Sequence, residues 1–263
     1  MSTVAKELRY LKEQLRVNML SNMEYRVSFL VQVFFMLLND IFLLFFWWVI
    51  FLRFESVAGW QQRDVFLLYA ISAGTFGLSH AVFGNAGRLS NIIVEGQLDY
   101  YLALPKDVWL SVLASRSIAS TLGDVLFGIT ICALLLNSWV QVVFALILMS
   151  IGAVFLAAVL SLVHSLTFFM GNAEQIAAAF SEALLTFSLY PVSIFSVTVR
   201  VLLYTGIPAA FISFVPLSVL TRFSWPLLAG FVSVAVLTVI MSRFVFYRGL
   251  RRYESGNLVA PRM

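Results

Sequence analysis

Charge is what this sequence has least of. Only 11% of its 263 residues are Asp, Glu, Lys or Arg, where soluble domains carry about 25%. Hydrophobic residues make up 61% and the mean hydropathy is +0.95. A water-exposed globule of this length could not cover its surface with so few charges, so a soluble enzyme is excluded. The single cysteine, Cys132, excludes an intrachain disulfide and any multi-cysteine metal site. No Gly-x-x-x-x-Gly-Lys phosphate loop, His-Glu-x-x-His helix or Gly-x-Ser-x-Gly elbow is present. His80 and His164 have no acidic residue three or four positions away and read as hydrogen-bonded groups between helices. No catalytic, metal or cofactor-binding residue is assigned, and the chain is not read as an enzyme. Disorder is excluded by 25 Phe and 6 Trp.

What is there is apolar and helical. A spanning helix needs about 20 mostly apolar residues, and runs at 27–52, 65–86, 108–136, 140–166, 182–204 and 227–246 give six spans. The expected fold is thus an all-α membrane protein made of one transmembrane domain, 1–263. The first span ends in Trp47-Trp48, read as an interfacial anchor. The third and fourth are joined by Asn137-Ser138-Trp139 alone, which predicts an antiparallel helical hairpin. Pro191 should kink the fifth, after a weakly polar stretch at 168–181. Glu182 reads as a first-turn acid of that span.

Before these spans, residues 1–26 stay too polar for the apolar region of a cleavable signal. Val4, Leu8, Leu11, Leu15 and Met19 share one helical face, opposite Lys6, Arg9, Lys12 and Arg16. This predicts an amphipathic helix, lying in the membrane interface or against a partner. Residues 205–225 carry Pro208, Pro216 and Arg222 and are too short to cross, which predicts re-entrant outer helices packed on protein. A basic tail, 247–263, closes the chain.

Six spans put both ends on one side. That side collects thirteen cations (Lys6, Arg9, Lys12, Arg16, Arg26, Arg88, Lys106, Arg116, Arg243, Arg248, Arg251, Arg252, Arg262) against four on the other (Arg53, Arg63, Arg200, Arg222). By the positive-inside rule both termini and the 87–107 loop are cytoplasmic. The net charge of +4 reports this orientation and no nucleic-acid partner.

Asp40 and Asp124 lie nearest the bilayer centre, where a carboxylate costs at least about 2.5–3.5 kcal/mol and must face protein or water. They read either as carboxyls stitching helices, with Asn39 assisting Asp40, or as a proton relay. In the 87–107 loop, Gly96 permits a sharp turn, a short apolar helix carries Leu98, Tyr101 and Leu102, Pro105 stops it, and Asp107 can cap the next span. A short apolar helix with tyrosines at a loop tip suits a protein partner, or else rests on lipid.

The pattern Ile93-x-x-Gly96-x-Leu98-Asp99-x-x-Leu102-x-x-Pro105 resembles the cytoplasmic loop of type-2 ATP-binding-cassette (ABC) exporter permeases. It is closest to a bacterial branch of uncharacterised transport-system permeases. The tail Gly249-Leu250-Arg251-Arg252-Tyr253-Glu254-Ser255 is similar to that branch's closing Gly-Leu-x-x-Tyr-x-Ser, and Tyr190-Pro191 also fits. Phe168-Phe169 stands where Phe-Trp would be expected.

The resemblance implies a permease subunit of the bacterial inner membrane that couples ATP hydrolysis elsewhere to export of an amphipathic or lipid-like substrate. Glu95, Gly96, Gln97, Leu98, Asp99, Tyr100, Tyr101, Leu102, Leu104 and Pro105 would form a coupling helix against a cytoplasmic nucleotide-binding subunit, present in two copies and carrying ATP and Mg. Leu8, Arg9, Leu11, Leu15 and Arg16 would mark a connecting helix beside it. Pro208, Pro216 and Arg222 would sit at an outer gate. A second permease, identical or a paralogue, would complete the dimer. Substitutions at Gly96, Leu98, Asp99 or Tyr101 should uncouple transport without unfolding the spans. The alternative from the residues is a proton-coupled secondary transporter using Asp40 and Asp124, a class that often shows repeated halves and a midplane site.

Overall fold

The computed structural model describes residues 3–171 and 173–254, so Ser255, Arg262 and the rest of 255–263 lie outside it, as do the side chains of Val4, Lys6 and Leu8. Among the described residues thirteen α-helices follow one another: α1 Thr3–Asn22, α2 Arg26–Arg53, α3 Gln62–Val82, α4 Leu89–Val94, α5 Leu98–Leu102, α6 Val108–Ala114, α7 Leu122–Leu135, α8 Trp139–His164, α9 Thr167–Met170, α10 Glu174–Ser188, α11 Val197–Tyr204, α12 Phe214–Thr221 and α13 Trp225–Leu250. No strand occurs among the described residues; an isolated bridge, Val57 to Trp60, closes the turn between α2 and α3. Four helical stretches are long and apolar enough to cross a membrane: α2, α3, α8 continuing through α9, and α13. Two bent pairs, α6 with α7 and α11 with α12, raise the number to six if each is one span.

The centre is α3, packed on α7 and α8, with α2 outside α7 and α13 outside α8. In lipid, apolar burial does not drive helices together, so close packing decides, and small residues allow it. At Gly128 on α7 an added Cβ would meet the Ala70 carbonyl at 2.7 Å, and at Gly123 the Val33 carbonyl at 2.8 Å. Along the 28 residues of α2 the buried positions are Val33, Asp40 and Trp47, a seam of seven-residue steps. Its remaining surface shows Phe34, Phe35, Phe42, Phe45 and Phe46, as a lipid-facing helix should. Trp47 is not an interfacial anchor: it is buried against Tyr190, with ring centroids 6.0 Å apart.

The third span is not one helix. Between α6 and α7 the axis turns by 78°, although no proline marks the place. The freed backbone groups are taken up by the end of α3: Ile118 N–H donates to the His80 carbonyl at 3.2 Å, and Gly84 N–H donates to the Arg116 carbonyl at 3.0 Å. Non-helical backbone within an apolar region is tolerated where protein satisfies it in this way. The short connection between α7 and α8 forms at the expected place, with the Ser138 side chain accepting from Val140 N–H.

The fifth span also differs from expectation. Helix α10 starts at Glu174, inside the stretch read as a polar lead-in, and ends at Ser188. Pro191 therefore follows the helix instead of kinking it, and a 3-10 turn at Val192–Ile194 leads to α11. Glu182 sits two turns inside α10, so the first-turn acid is Glu174. Beyond α11 the chain bends by 66° into a 3-10 turn at Ala209–Phe211 and α12, the short helices expected at 205–225. Pro216 is buried in the first turn of α12 and Arg222 is exposed just after it.

Candidate functional site

The 87–107 loop is folded on itself and tied down on several sides. A 3-10 turn at Ala86–Arg88 leads into α4, Gly96 reverses the chain at φ +72°, and α5 follows. That left-handed backbone favours glycine. Leu98 is fully buried, together with Ile92 and Ile93, and Gly96 is buried as well. Tyr101 is half-buried, its hydroxyl 2.8 Å from Ser115 Oγ. The surface left outside includes Val94, Glu95, Gln97, Asp99, Tyr100, Leu102, Ala103 and Pro105, with Leu104 half-buried. Tyr100 is 68% exposed, and Gln97 Nε2 donates to Glu95 Oε2 at 2.6 Å. Leu98 and Gly96 therefore form the loop's interior.

The tethers run to four helices. Asp107 caps α6 by accepting from Leu110 N–H at 2.8 Å, and Arg243 of α13 donates to its other oxygen at 2.6 Å. The Arg243 guanidinium also lies 5.4 Å above the Trp109 ring, whose Nε1 donates to Ser161 of α8 at 2.8 Å. Ser90 Oγ sits 2.8 Å from His164 Nδ1 and accepts from Thr167 of α9 at 2.9 Å. His164 thus bonds between helices as expected. His80 does not, since its Nδ1 bonds the Phe76 carbonyl of its own helix at 3.0 Å.

The two flanks of the loop are covered by the chain's own ends. Helix α1 lies against α6: Asn18 Nδ2 donates to the Ala114 carbonyl at 3.0 Å, and Asn22 Nδ2 to the Ser117 carbonyl at 3.1 Å. Leu11 and Leu15 are half-buried on that side, whereas Arg9 and Arg16 are exposed. On the other flank, Phe168 packs on Phe246 and Tyr253, and a Cβ at Gly249 would collide with the Phe168 ring. Burial, with the Asp99 carboxylate beside it, pushes the Tyr253 phenol up to about 12.

Deeper in the fold, three helices bring Asp40, Tyr69 and Asp124 together. The Tyr69 hydroxyl donates to Asp40 Oδ1 at 2.5 Å, and the Asp124 carboxyl faces that of Asp40. Each aspartate is 2% exposed. Gly77 makes room for Asp124, whose Cβ would lie 2.9 Å from an added Cβ there. Asn39 is exposed on α2 and takes no part. Tyr69 had no special standing in the sequence, because a tyrosine in an apolar run reads as packing. Among the described residues no three His, Cys, Asp or Glu side chains gather as metal ligands would.

The decisive comparison is with families. The family model "ABC-2 family transporter protein" matches residues 37–256. The chain belongs to the ABC-2 transporter family. It is accordingly a multi-pass membrane protein and a permease component of an ABC transporter, a class that works with an ATP-binding subunit. The match takes in the loop, the carboxyl pair, α10–α12 and α13, and leaves α1 outside. No curated protein and no solved structure matches the chain.

Proposed function

We propose that this ABC-2 permease is the membrane half of an ATP-driven exporter, and that the 87–107 loop is where a separate nucleotide-binding subunit drives it. The observation that carries the reading is the loop's division of labour. Leu98, Tyr101 and Trp109 hold it rigidly, while Tyr100 and Leu102 stand exposed on α5. An exposed aromatic on a rigid support is what a binding hot spot requires.

In this reading the six spans are α2, α3, α6 with α7, α8 with α9, α10 and α13. Helices α11 and α12 dip back into the outer leaflet, with Pro208, Pro216 and Arg222 at an outer gate, and both termini are cytoplasmic. The thirteen-to-four distribution of cations supports that orientation. Two nucleotide-binding subunits, carrying ATP and Mg, sit beneath two permeases, the second identical or a paralogue. Helix α1, with Leu11 and Leu15 inward, acts as the connecting helix. ATP binding draws the two loops together, and the tethers pass that displacement to α13 through Arg243 and to α8 through Ser161. The permease is thereby biased from inward-open to outward-open, a population shift powered by nucleotide. The substrate is amphipathic or lipid-like, and the membrane is the bacterial inner membrane. Asp40, Tyr69 and Asp124 stitch α2 to α3 and α7.

The test is cross-linking. Cys132, the single cysteine, is buried, so Tyr100→Cys offers one accessible thiol. It should cross-link to a co-expressed ATPase subunit and react with reagents applied from the cytoplasmic side. A thiol reached only from outside the cell, or an ATPase that co-purifies undiminished with Tyr100→Asp, would sink the proposal.

A further inference from the structure

A cavity of about 250 Å³ opens between α3, α8 and α10. Its apolar wall includes Phe76, Leu156 and Leu160, and three polar side chains line it: His80, Ser181 and Glu182. All three are hydrogen-bond acceptors. Ser181 has spent its proton on the Ala177 carbonyl at 2.8 Å, leaving oxygen lone pairs. His80 Nδ1 must be the protonated nitrogen, because the Phe76 carbonyl it bonds can only accept, so the neutral ring keeps Nε2 as an acceptor. Glu182 makes no hydrogen bond or ion pair with the described residues, and no Lys or Arg lines the space. The Phe76 ring, stacked on His80 with centroids 4.0 Å apart, adds an aromatic face.

Eight residues into α10, Glu182 lies about 12 Å along the helix from its start. Glu182 is exposed on α10, and with α10 read as a span, a carboxylate with no cation beside it marks a functional group by default. An anion, two neutral acceptors, an aromatic face and no donor side chain are complementary to one kind of head group: a cation carrying several N–H bonds. A protonated primary amine has three such donors and gains further from the aromatic face. The space suits a head group with a few methylenes, so the rest of the ligand must extend out through the mouth.

We infer that the cavity between α3, α8 and α10 binds the head group of a primary-amine amphiphile, with Glu182 as its counter-ion. This rests on the permease reading for the ligand's purpose, but not for its binding, which needs no ATPase.

The full chain in phosphatidylcholine nanodiscs, labelled with a dodecylamine analogue bearing a photoreactive diazirine in its tail, tests the inference. Labelling should map to α10 and the facing turn of α3. Dodecylamine should compete best, dodecyltrimethylammonium less well because it lacks N–H donors, and dodecanoate least. Glu182→Gln should weaken labelling about tenfold, the loss expected for a charge-assisted hydrogen bond. Ala178→Phe, which fills the cavity from one turn before Glu182 and keeps the carboxylate itself, should abolish it and stands in if Glu182→Gln does not fold. Equal competition by dodecanoate, or labelling unchanged in both variants, overturns the site. An ATPase that couples normally to a chain that does not label removes the site and spares the exporter reading. Specific labelling of a chain that no ATPase drives does the reverse.

Discussion

Leu98 and Tyr100 lie two residues apart on α5 and should fail in opposite ways. Leu98 is fully buried among Ile92, Ile93 and Trp109, whereas Tyr100 is 68% exposed. Truncating a buried leucine to alanine costs about 2–5 kcal/mol, the spread reflecting how far the site collapses. The loop's tethers to α6, α8 and α13 limit that collapse, which places Leu98→Ala in the upper half of the range. Tyr100→Ala removes a mostly exposed side chain whose ring meets Tyr101 edge-on, and such surface changes stay within about 0.5 kcal/mol. If Tyr100 anchors the ATPase subunit, its loss at a hot spot is about 2 kcal/mol or more, roughly thirtyfold in affinity. Thermal unfolding of the detergent-solubilised chain, followed by tryptophan fluorescence, measures the first effect. Titration of immobilised permease with the ATPase subunit measures the second. Leu98→Ala should lower the melting temperature, and Tyr100→Ala should leave it unchanged while weakening the ATPase. Equal destabilisation by both variants, or full ATPase affinity in Tyr100→Ala, would refute the division between a packed inner face and a docking outer face.

Tyr69→Phe strips Asp40 of its one hydroxyl donor in a buried place and should destabilise the chain by about 1–3 kcal/mol, read as a lower melting temperature. Adding Asp40→Leu to it should recover part of the loss, since replacing both partners of a buried pair by apolar groups can be nearly neutral. Arg243→Ala breaks a partly exposed bridge worth about 1 kcal/mol. If that bridge conveys motion to α13, ATPase binding should survive while substrate-stimulated turnover falls. Gly128→Leu must push against the Ala70 carbonyl and should abolish monodisperse protein on size exclusion, while Gly87→Ala, with open space around it, should elute as wild type.

How much of this was legible in advance depended on whether the deciding contacts were local. Long apolar runs announce α2, α3, α8 and α13 without help from the rest of the chain, and Gly96 and Asp107 carry their turn and cap within a few residues. The break between α6 and α7 was not readable. Residues 115–118 hold neither proline nor glycine, and what stabilises their unwound backbone is the end of α3, Gly84 and the His80 carbonyl, more than thirty residues earlier. Asp40 and Asp124 could be flagged as costly to bury, but their meeting depends on three helices closing at Gly123 and Gly77. Tyr69, their partner, carries no signal that distinguishes it from a packing aromatic.

The start of α10 is of another kind, because the sequence carries it in helix propensity and not in hydropathy. Glu174, Gln175 and Ser181 lower the hydropathy of 168–181, which argues for a loop if every membrane helix is assumed to face lipid. Three successive alanines, Ala177–Ala179, are strong helix formers. A helix of high propensity and middling hydropathy, with small residues and two carboxylates, Glu174 and Glu182, exposed along it, suits a place where one face meets something other than lipid. Moving the helix start from 182 to 174 changes the role of Glu182. At a first turn it would answer the helix dipole and need no ligand. Two turns inside, beyond the reach of that dipole and with no ion pair to the described residues, the exposed Glu182 carboxylate is left available to a ligand. Substituting Glu182 should therefore change which amphiphiles the permease holds and leave the stability of α10 nearly unaltered. A large loss of stability in Glu182→Gln would instead return the residue to a structural role.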